Sequence, residues 1–218
     1  MPKRISYDPL LLGIPIVLVV LGIIMIYSSS AILAWEKYKD PYYFVKRQLI
    51  WASISLILVL IITRTSYENM KKVSVPLFFL GMLFLILVLI PNLGKSGGGA
   101  RRWINLGSLS FQPSEFMKVA MLFYLSRTLA NKKEHIKLFF DGYLPCLIIL
   151  SIIFFLIMMQ PDLGSVVVLG ATAFILFFVA GVPLRFLLPT FLVALSLGIL
   201  AIYTVSFRRT RVMAHLNP

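Results

Sequence analysis

The sequence has little of what soluble enzymes and secreted domains depend on. Cys146 is its one cysteine, so no disulfide forms within the chain and the redox compartment stays open. It lies in an apolar run and reads as a small buried hydrophobe. The two histidines, His135 and His215, are far apart and have no cysteine companions, which argues against a zinc site. Charged residues make up only 13% of the 218 positions, and just eight of them are acidic. With 60% hydrophobic residues, the composition excludes an ordinary soluble domain. No low-complexity tract or convincing internal repeat is visible.

What is there instead is a series of apolar blocks, each about the 20 residues needed to cross a bilayer. They are too long for barrel strands and do not alternate, and backbone polar groups in lipid must bond within their own segment. The expected fold is therefore an all-α polytopic membrane protein. Seven spans are expected, over about 9–33, 46–63, 74–91, 114–130, 143–160, 164–181 and 187–205, forming a single transmembrane domain over 1–218. Lys3 and Arg4 ahead of the first run suggest a signal peptide, but the uncharged stretch reaches past Ser30, longer than a signal core. A first transmembrane helix is the better reading. Pro15, Pro76, Pro145 and Pro189 fall near the expected span starts, where a missing N–H matters least.

The net charge is +13, and its distribution does not orient the chain. With a cytoplasmic N-terminus, ten of the 21 basic residues lie on inner segments and eleven on outer ones. Either these cations are interfacial anchors that snorkel to headgroups, or the clustered ones meet an anionic ligand. A pyrophosphate-linked lipid suits the second reading, because the arginine fork donates two parallel hydrogen bonds to phosphate.

The densest group of such residues is Gly97–Lys118, GGGARRWINLGSLSFQPSEFMK, between two long apolar runs. Polar groups at a bilayer edge are costly to keep and mark a candidate site. Gly94-Lys95-Ser96 is not a phosphate loop, since the position needing the first glycine is Leu89. Gly97–Gly99 are expected to form a flexible or left-handed turn into Arg101 and Arg102. Arg101-Arg102-Trp103 reads either as a surface anchor or as a pyrophosphate clamp. Gln112-Pro113-Ser114-Glu115 resembles a helix start, with Glu115 at the positive end of the dipole and Lys118 within reach one turn on. That pair is either structural or part of a polar cavity.

Gln160-Pro161-Asp162-Leu163-Gly164 interrupts another apolar stretch. Asp162 is expected to cap the sixth span, or to pair with an arginine, or to hold a metal. Arg208-Arg209-Thr210-Arg211 follows the last span as juxtamembrane anchoring or as further substrate contact.

At these motifs the sequence resembles the SEDS family (shape, elongation, division, sporulation), the FtsW and RodA proteins. The matching pieces run in family order. They are Met25–Ser30 (MIYSSS), Tyr43–Leu49 (YFVKRQL), Gly99–Ile104 (GARRWI), Phe111–Lys118 (FQPSEFMK), Gln160–Gly164 (QPDLG) and Arg208–Arg211 (RRTR) leading to Leu216-Asn217-Pro218. The Ser-Tyr-Asp-Pro start, the Lys-Arg-Gln-Leu of the second span and the closing Arg-rich segment look more like the division branch than the elongation branch.

The resemblance implies a cytoplasmic N-terminus in the bacterial inner membrane, at the division septum, and a ten-helix SEDS-type bundle of which these are seven. It implies a peptidoglycan glycosyltransferase that polymerises lipid II. Arg101, Arg102, Glu115 and Lys118 are then the expected substrate contacts, with Gln112, Asp162, Arg208 and Arg211 as further substrate or structural residues. The family's catalytic Asp lies in a large loop after the seventh span, so no catalytic residue is assigned here and the chain is expected to be a truncated form. His215 stands where the family tends to have an aromatic residue.

The implied partners are lipid II, a class B penicillin-binding transpeptidase and other divisome proteins, with no nucleic acid. No cofactor or metal is expected, although a divalent cation is compatible with the chemistry. Two alternatives stay open: a non-catalytic division scaffold and a lipid II flippase.

Overall fold

Helices form wherever the apolar blocks lie, and they run beyond them at most ends, because polar flanking residues continue the helix into the interface. The computed structural model describes residues 9–91, 94–97, 100–106 and 109–203. In chain order these form α1 (Pro9–Tyr38), α2 (Tyr43–Arg64), α3 (Tyr67–Leu87), β1 (Gly94–Gly97), β2 (Ala100–Leu106), β3 (Leu109–Phe111), α4 (Pro113–Lys132), α5 (Leu144–Met158), α6 (Leu163–Val179) and α7 (Leu184–Tyr203). A 3₁₀ turn (Lys133–Lys137) and one π turn (Phe139–Tyr143) join α4 to α5.

The seven helices are the polytopic helical architecture expected, with one addition. The connection expected to be a loop and turn is an antiparallel sheet in the order β1-β2-β3. Its register pairs Lys95 with Trp103 and Ser96 with Arg101, then Ile104 with Phe111 and Leu106 with Leu109. The expected Gly97–Gly99 turn falls partly outside the described residues.

A second difference concerns proline. Pro76 and Pro189 lie inside α3 and α7 rather than at their starts, because those helices begin upstream of the apolar runs, and Pro15 lies inside α1, which begins where its apolar run does, at Pro9. Pro145 does stand in the first turn of α5.

Five helical stretches are long and apolar enough to cross a membrane: Leu12–Tyr38, Tyr43–Arg64, Tyr67–Leu87, Phe139–Met158 and Leu184–Ala201. α6 is apolar but has 17 residues. α4 carries Glu115, Lys118, Arg127 and Lys132 within its 20 residues. It nonetheless buries Met117, Ala120, Met121, Leu125 and Leu129, packing on α3 and α6. A helix surrounded mostly by protein need not be apolar all round, which explains its composition.

The described residues divide into two compact units, one ending at Ser66 and the other beginning at Tyr67. In the first, α1 and α2 expose nearly all their apolar side chains, and Ala34 is fully buried. Their connection is held by the stacked rings of Tyr38 and Tyr43 and by a Lys46–Asp40 ion pair at 2.7 Å.

The second unit has a contiguous core. It joins Phe78 and Leu85 of α3 to Met117, Met121 and Leu125 of α4, Ile153 and Ile157 of α5, and Leu169 and Phe177 of α6. Gly81 lets α3 and α4 approach closely, since a Cβ there would stand 2.7 Å from the Met117 sulfur. At one end of this core the sheet is anchored by Phe111, whose ring meets Phe84 at 5.4 Å and Phe116 at 6.1 Å between centroids.

Candidate functional site

Three helix ends and the sheet converge at the Asp162 carboxylate, which is nearly buried. Asp162 caps α6 as expected, accepting a hydrogen bond at Oδ1 from the Ser165 backbone N–H (3.3 Å). Its Oδ2 accepts from Ser165 Oγ (2.7 Å), Gln112 Nε2 (2.8 Å) and Ser114 Oγ (3.0 Å). Gln112 Nε2 also donates to Ser114 Oγ at 2.9 Å. One carboxylate therefore joins the residue ahead of α4, the first turn of α4 and the first turn of α6. An ionised carboxylate, which only accepts, suits this set of donors.

Arg102 approaches the same group from β2, with Nη1 3.7 Å from Asp162 Oδ1. The expected arginine pairing is thus present alongside the cap. Burial pushes the Asp162 pKa up, but the Ser165 and Ser114 hydrogen bonds and the Arg102 charge outweigh it, and the carboxyl titrates below its ordinary value.

Beside this network, Gln160 ties the α5–α6 turn to the end of α3. Its Nε2 donates to the Leu85 carbonyl at 3.1 Å. That carbonyl is among the last four of α3, which have no partner within the helix. Gln160 is fully buried, and its Oε1 has no hydrogen-bond partner among the described residues.

Glu115 and Lys118 bond to each other across one turn of α4, Nζ to Oε1 at 2.7 Å. The lysine side chain is 26% exposed and the glutamate 58%. Their link to the Asp162 network runs through the α4 backbone, because Ser114 precedes Glu115 and lies four residues before Lys118.

The structure thus brings Arg102, Gln112 and Asp162 together and keeps Glu115 with Lys118. Of Arg101 the backbone is described, in β2 opposite Ser96. Arg208 and Arg211 lie outside the described residues. Ser165 was not expected from the sequence; its place three residues after an N-capping Asp was the available signal. Among the described residues, no three His, Cys, Asp or Glu side chains are grouped as metal ligands.

A family profile covering FtsW, RodA and SpoVE, described as "Cell cycle protein", matches residues 9–218. The chain belongs to this FtsW/RodA/SpoVE family. It is 37% identical over 218 residues to the "Probable peptidoglycan glycosyltransferase FtsW" of Trichlorobacter lovleyi, covering 100% of this chain and 57% of that protein. Stage V sporulation protein E of Bacillus subtilis is 38% identical over 216 residues, with 99% of this chain and 59% of that one covered.

Among solved structures, Thermus thermophilus RodA aligns with a TM-score of 0.63 at 30% identity, over 90% of this chain and 60% of RodA. A chain from a peptidoglycan synthase complex coordinating polymerization and crosslinking aligns with a TM-score of 0.65 at 28% identity, over 98% of this chain and 60% of that one. The family and the membrane-length helices together make this a membrane protein. The chain spans under three fifths of the length of these curated relatives.

Proposed function

We propose that this chain binds the lipid-linked pyrophosphate of lipid II and forms part of a peptidoglycan glycosyltransferase of the FtsW type. The observation that carries the reading is the juxtaposition of the Arg101-Arg102 strand with a helix bearing Lys118 one turn beyond Ser114, in a chain 37% identical to a protein of that name.

In the reaction, an acceptor sugar hydroxyl attacks the anomeric carbon of the donor. The new C–O bond forms as the bond to the pyrophosphate oxygen breaks, and the pyrophosphate leaves with the electron pair. The hydroxyl proton goes to a base. Cations are needed where charge develops, and Arg101, Arg102 and Lys118 are the residues suited to that, with Glu115 orienting Lys118. Asp162 is not the base, because its oxygens are already engaged by four hydrogen bonds and its pKa is lowered.

The proposal places the N-terminus in the cytoplasm of a bacterial cell, the sheet on the outer face of the inner membrane at the division septum, and a class B penicillin-binding transpeptidase as partner. The relative solved within a synthase complex supports the last point. No cofactor is part of the proposal. The test is to supply lipid II to a purified polypeptide carrying the family's full length, in detergent and in vesicles. Glycan polymerisation supports the reading. Translocation without polymerisation would replace it with a flippase, and partner capture with neither activity would replace it with a scaffold.

A further inference from the structure

The Asp162 network uses more polar atoms than helix capping requires. An N-cap satisfies one or two backbone N–H groups of its own helix. Asp162 does this with Oδ1 and spends Oδ2 on three donors, two of them from the start of α4. Ser114 is fully buried, so its hydroxyl has no water to turn to. It also receives the Gln112 amide at 2.9 Å and lies 3.2 Å from Ser165 Oγ. The first turns of α4 and α6 are therefore fastened to each other through one negative charge, placed where both helix dipoles favour it.

We propose that Asp162, acting through Ser114 and Ser165, is a positioning residue that sets the rotation of α4 and so aims Lys118 and Glu115, while its own charge holds Arg102, for a lipid pyrophosphate. This rests on the reading given under Proposed function. Residues four apart share a helix face, so fixing Ser114 fixes the direction in which Lys118 leaves the helix. Arg102 stands at 3.7 Å from the carboxylate, near enough to be held by its charge and loose enough to turn a nitrogen toward a phosphate. The carboxylate itself takes no part in bond making.

Asparagine is a sharp probe of this role. It keeps the size of aspartate, but its NH₂ must face either the three donors at Oδ2 or the Ser165 N–H and Arg102 at Oδ1. Misplacement of positioned groups by about 1 Å costs on the order of 100-fold in rate, so a modest rotation of α4 is enough to be seen.

The experiment uses the chain in lipid nanodiscs, in a Cys146→Ala background with spin labels at Val119→Cys on α4 and Val167→Cys on α6, both exposed. Two quantities are read for the parent, Asp162→Asn, Ser114→Ala and the control Asp40→Asn: the α4–α6 distance distribution, and affinity for undecaprenyl pyrophosphate. The expected result is a shifted or broadened distance and affinity lower by about tenfold or more in Asp162→Asn, a smaller change of the same kind in Ser114→Ala, and none in Asp40→Asn.

A changed distance with unchanged affinity would make the network purely structural and overturn the inference. Unchanged distance and affinity would also overturn it while leaving the function reading standing. Failure of the parent to bind the pyrophosphate lipid would instead defeat that reading, and this inference with it. Should Asp162→Asn not fold, Ser114→Ala decides by the same two readings.

Discussion

Arg102 Nη1 stands 3.7 Å from Asp162 Oδ1, farther than each of the four hydrogen bonds that the carboxylate accepts. The two partners therefore depend on the contact unequally. Arg102→Ala leaves every one of those bonds in place and removes only a long ion pair to a carboxylate that its hydrogen bonds already satisfy, so its cost is expected to be the smaller one, about 1 kcal/mol. Asp162→Ala strands the donors of Gln112, Ser114 and Ser165 in a buried setting and is expected to cost about 3 kcal/mol or more. Unfolding of the two variants in mixed micelles, compared with the parent, measures the difference. Equal losses would contradict the asymmetry.

The lowered pKa of Asp162 gives this stability a pH dependence. A carboxyl whose folded-state pKa is below its unfolded value binds fewer protons when folded. Its contribution is complete above the unfolded pKa, about 3.9, and is lost as pH falls through the depressed folded value. Thermal stability is therefore expected to be flat from pH 7 to about 5 in this term and to drop below about 4. Asp162→Asn removes that term. A stability curve of the same shape in both proteins would show that other carboxylates set the acid limit.

The helices were readable because lipid imposes a length and a composition, and α2 and α5 lie within a few residues of the apolar blocks that announced them. The sheet was harder, since each of its strands has only three to seven residues and the first is all glycine and small or charged side chains. A weak signal was present: Ile104-Asn105-Leu106 and Leu109-Ser110-Phe111 alternate around Gly107-Ser108, the pattern of a hairpin. At the site, the cap role of Asp162 and the Glu115–Lys118 pair follow from spacing along one helix. The joining of Gln112 and Ser114 to Asp162 does not, because it crosses about fifty residues of chain.

Phe111 fastens the sheet to the helices through the rings of Phe84 and Phe116. Each such aromatic pair is worth about 0.5–1.5 kcal/mol beyond its buried area. Phe111→Ala is expected to loosen β2 and β3 locally, raising hydrogen exchange over Ala100–Phe111 by about tenfold or more while α5 and α6 keep their protection. Uniform loss of protection across the helices would mean that the sheet is part of the core rather than attached to it.

Gly142 sits where the π turn packs against the 3₁₀ turn before it. A Cβ at this position would meet the His135 carbonyl oxygen and the Ile136 Cα, both backbone atoms that cannot swing aside. Gly142→Ala is therefore expected to destabilise by about 1–3 kcal/mol, the range for overpacking a filled site. Gly198, where an added Cβ meets nothing within 4 Å, is the control. Gly198→Ala exchanges a helix glycine for a better helix former and is expected to be neutral or stabilising by up to about 1 kcal/mol. Thermal midpoints of the two variants test the contrast.

Lys118 and Lys37 are both lysines of long helices, and only one stands in the proposed site. Lys37 is near the end of α1, exposed, with Nζ 5.6 Å from the centre of the Tyr38 ring. Lys118 is 26% exposed, six residues into α4, and held by Glu115 at 2.7 Å. A lysine so placed needs a partner or water beside it, and its position suits contact with a developing pyrophosphate. In a polypeptide carrying the family's full length, Lys118→Ala is expected to lower lipid II polymerisation by about 100-fold, the scale of losing one group that stabilises transition-state charge. Lys37→Ala is expected to leave it within about twofold, since a cation outside the site adds no transition-state contact. Lys118→Arg, which restores charge with a bulkier fork, should recover part of the loss. Equal effects of the two alanine substitutions would remove Lys118 from the site, whereas a large Lys118 effect unrelieved by arginine would make its shape, not its charge, the functional property.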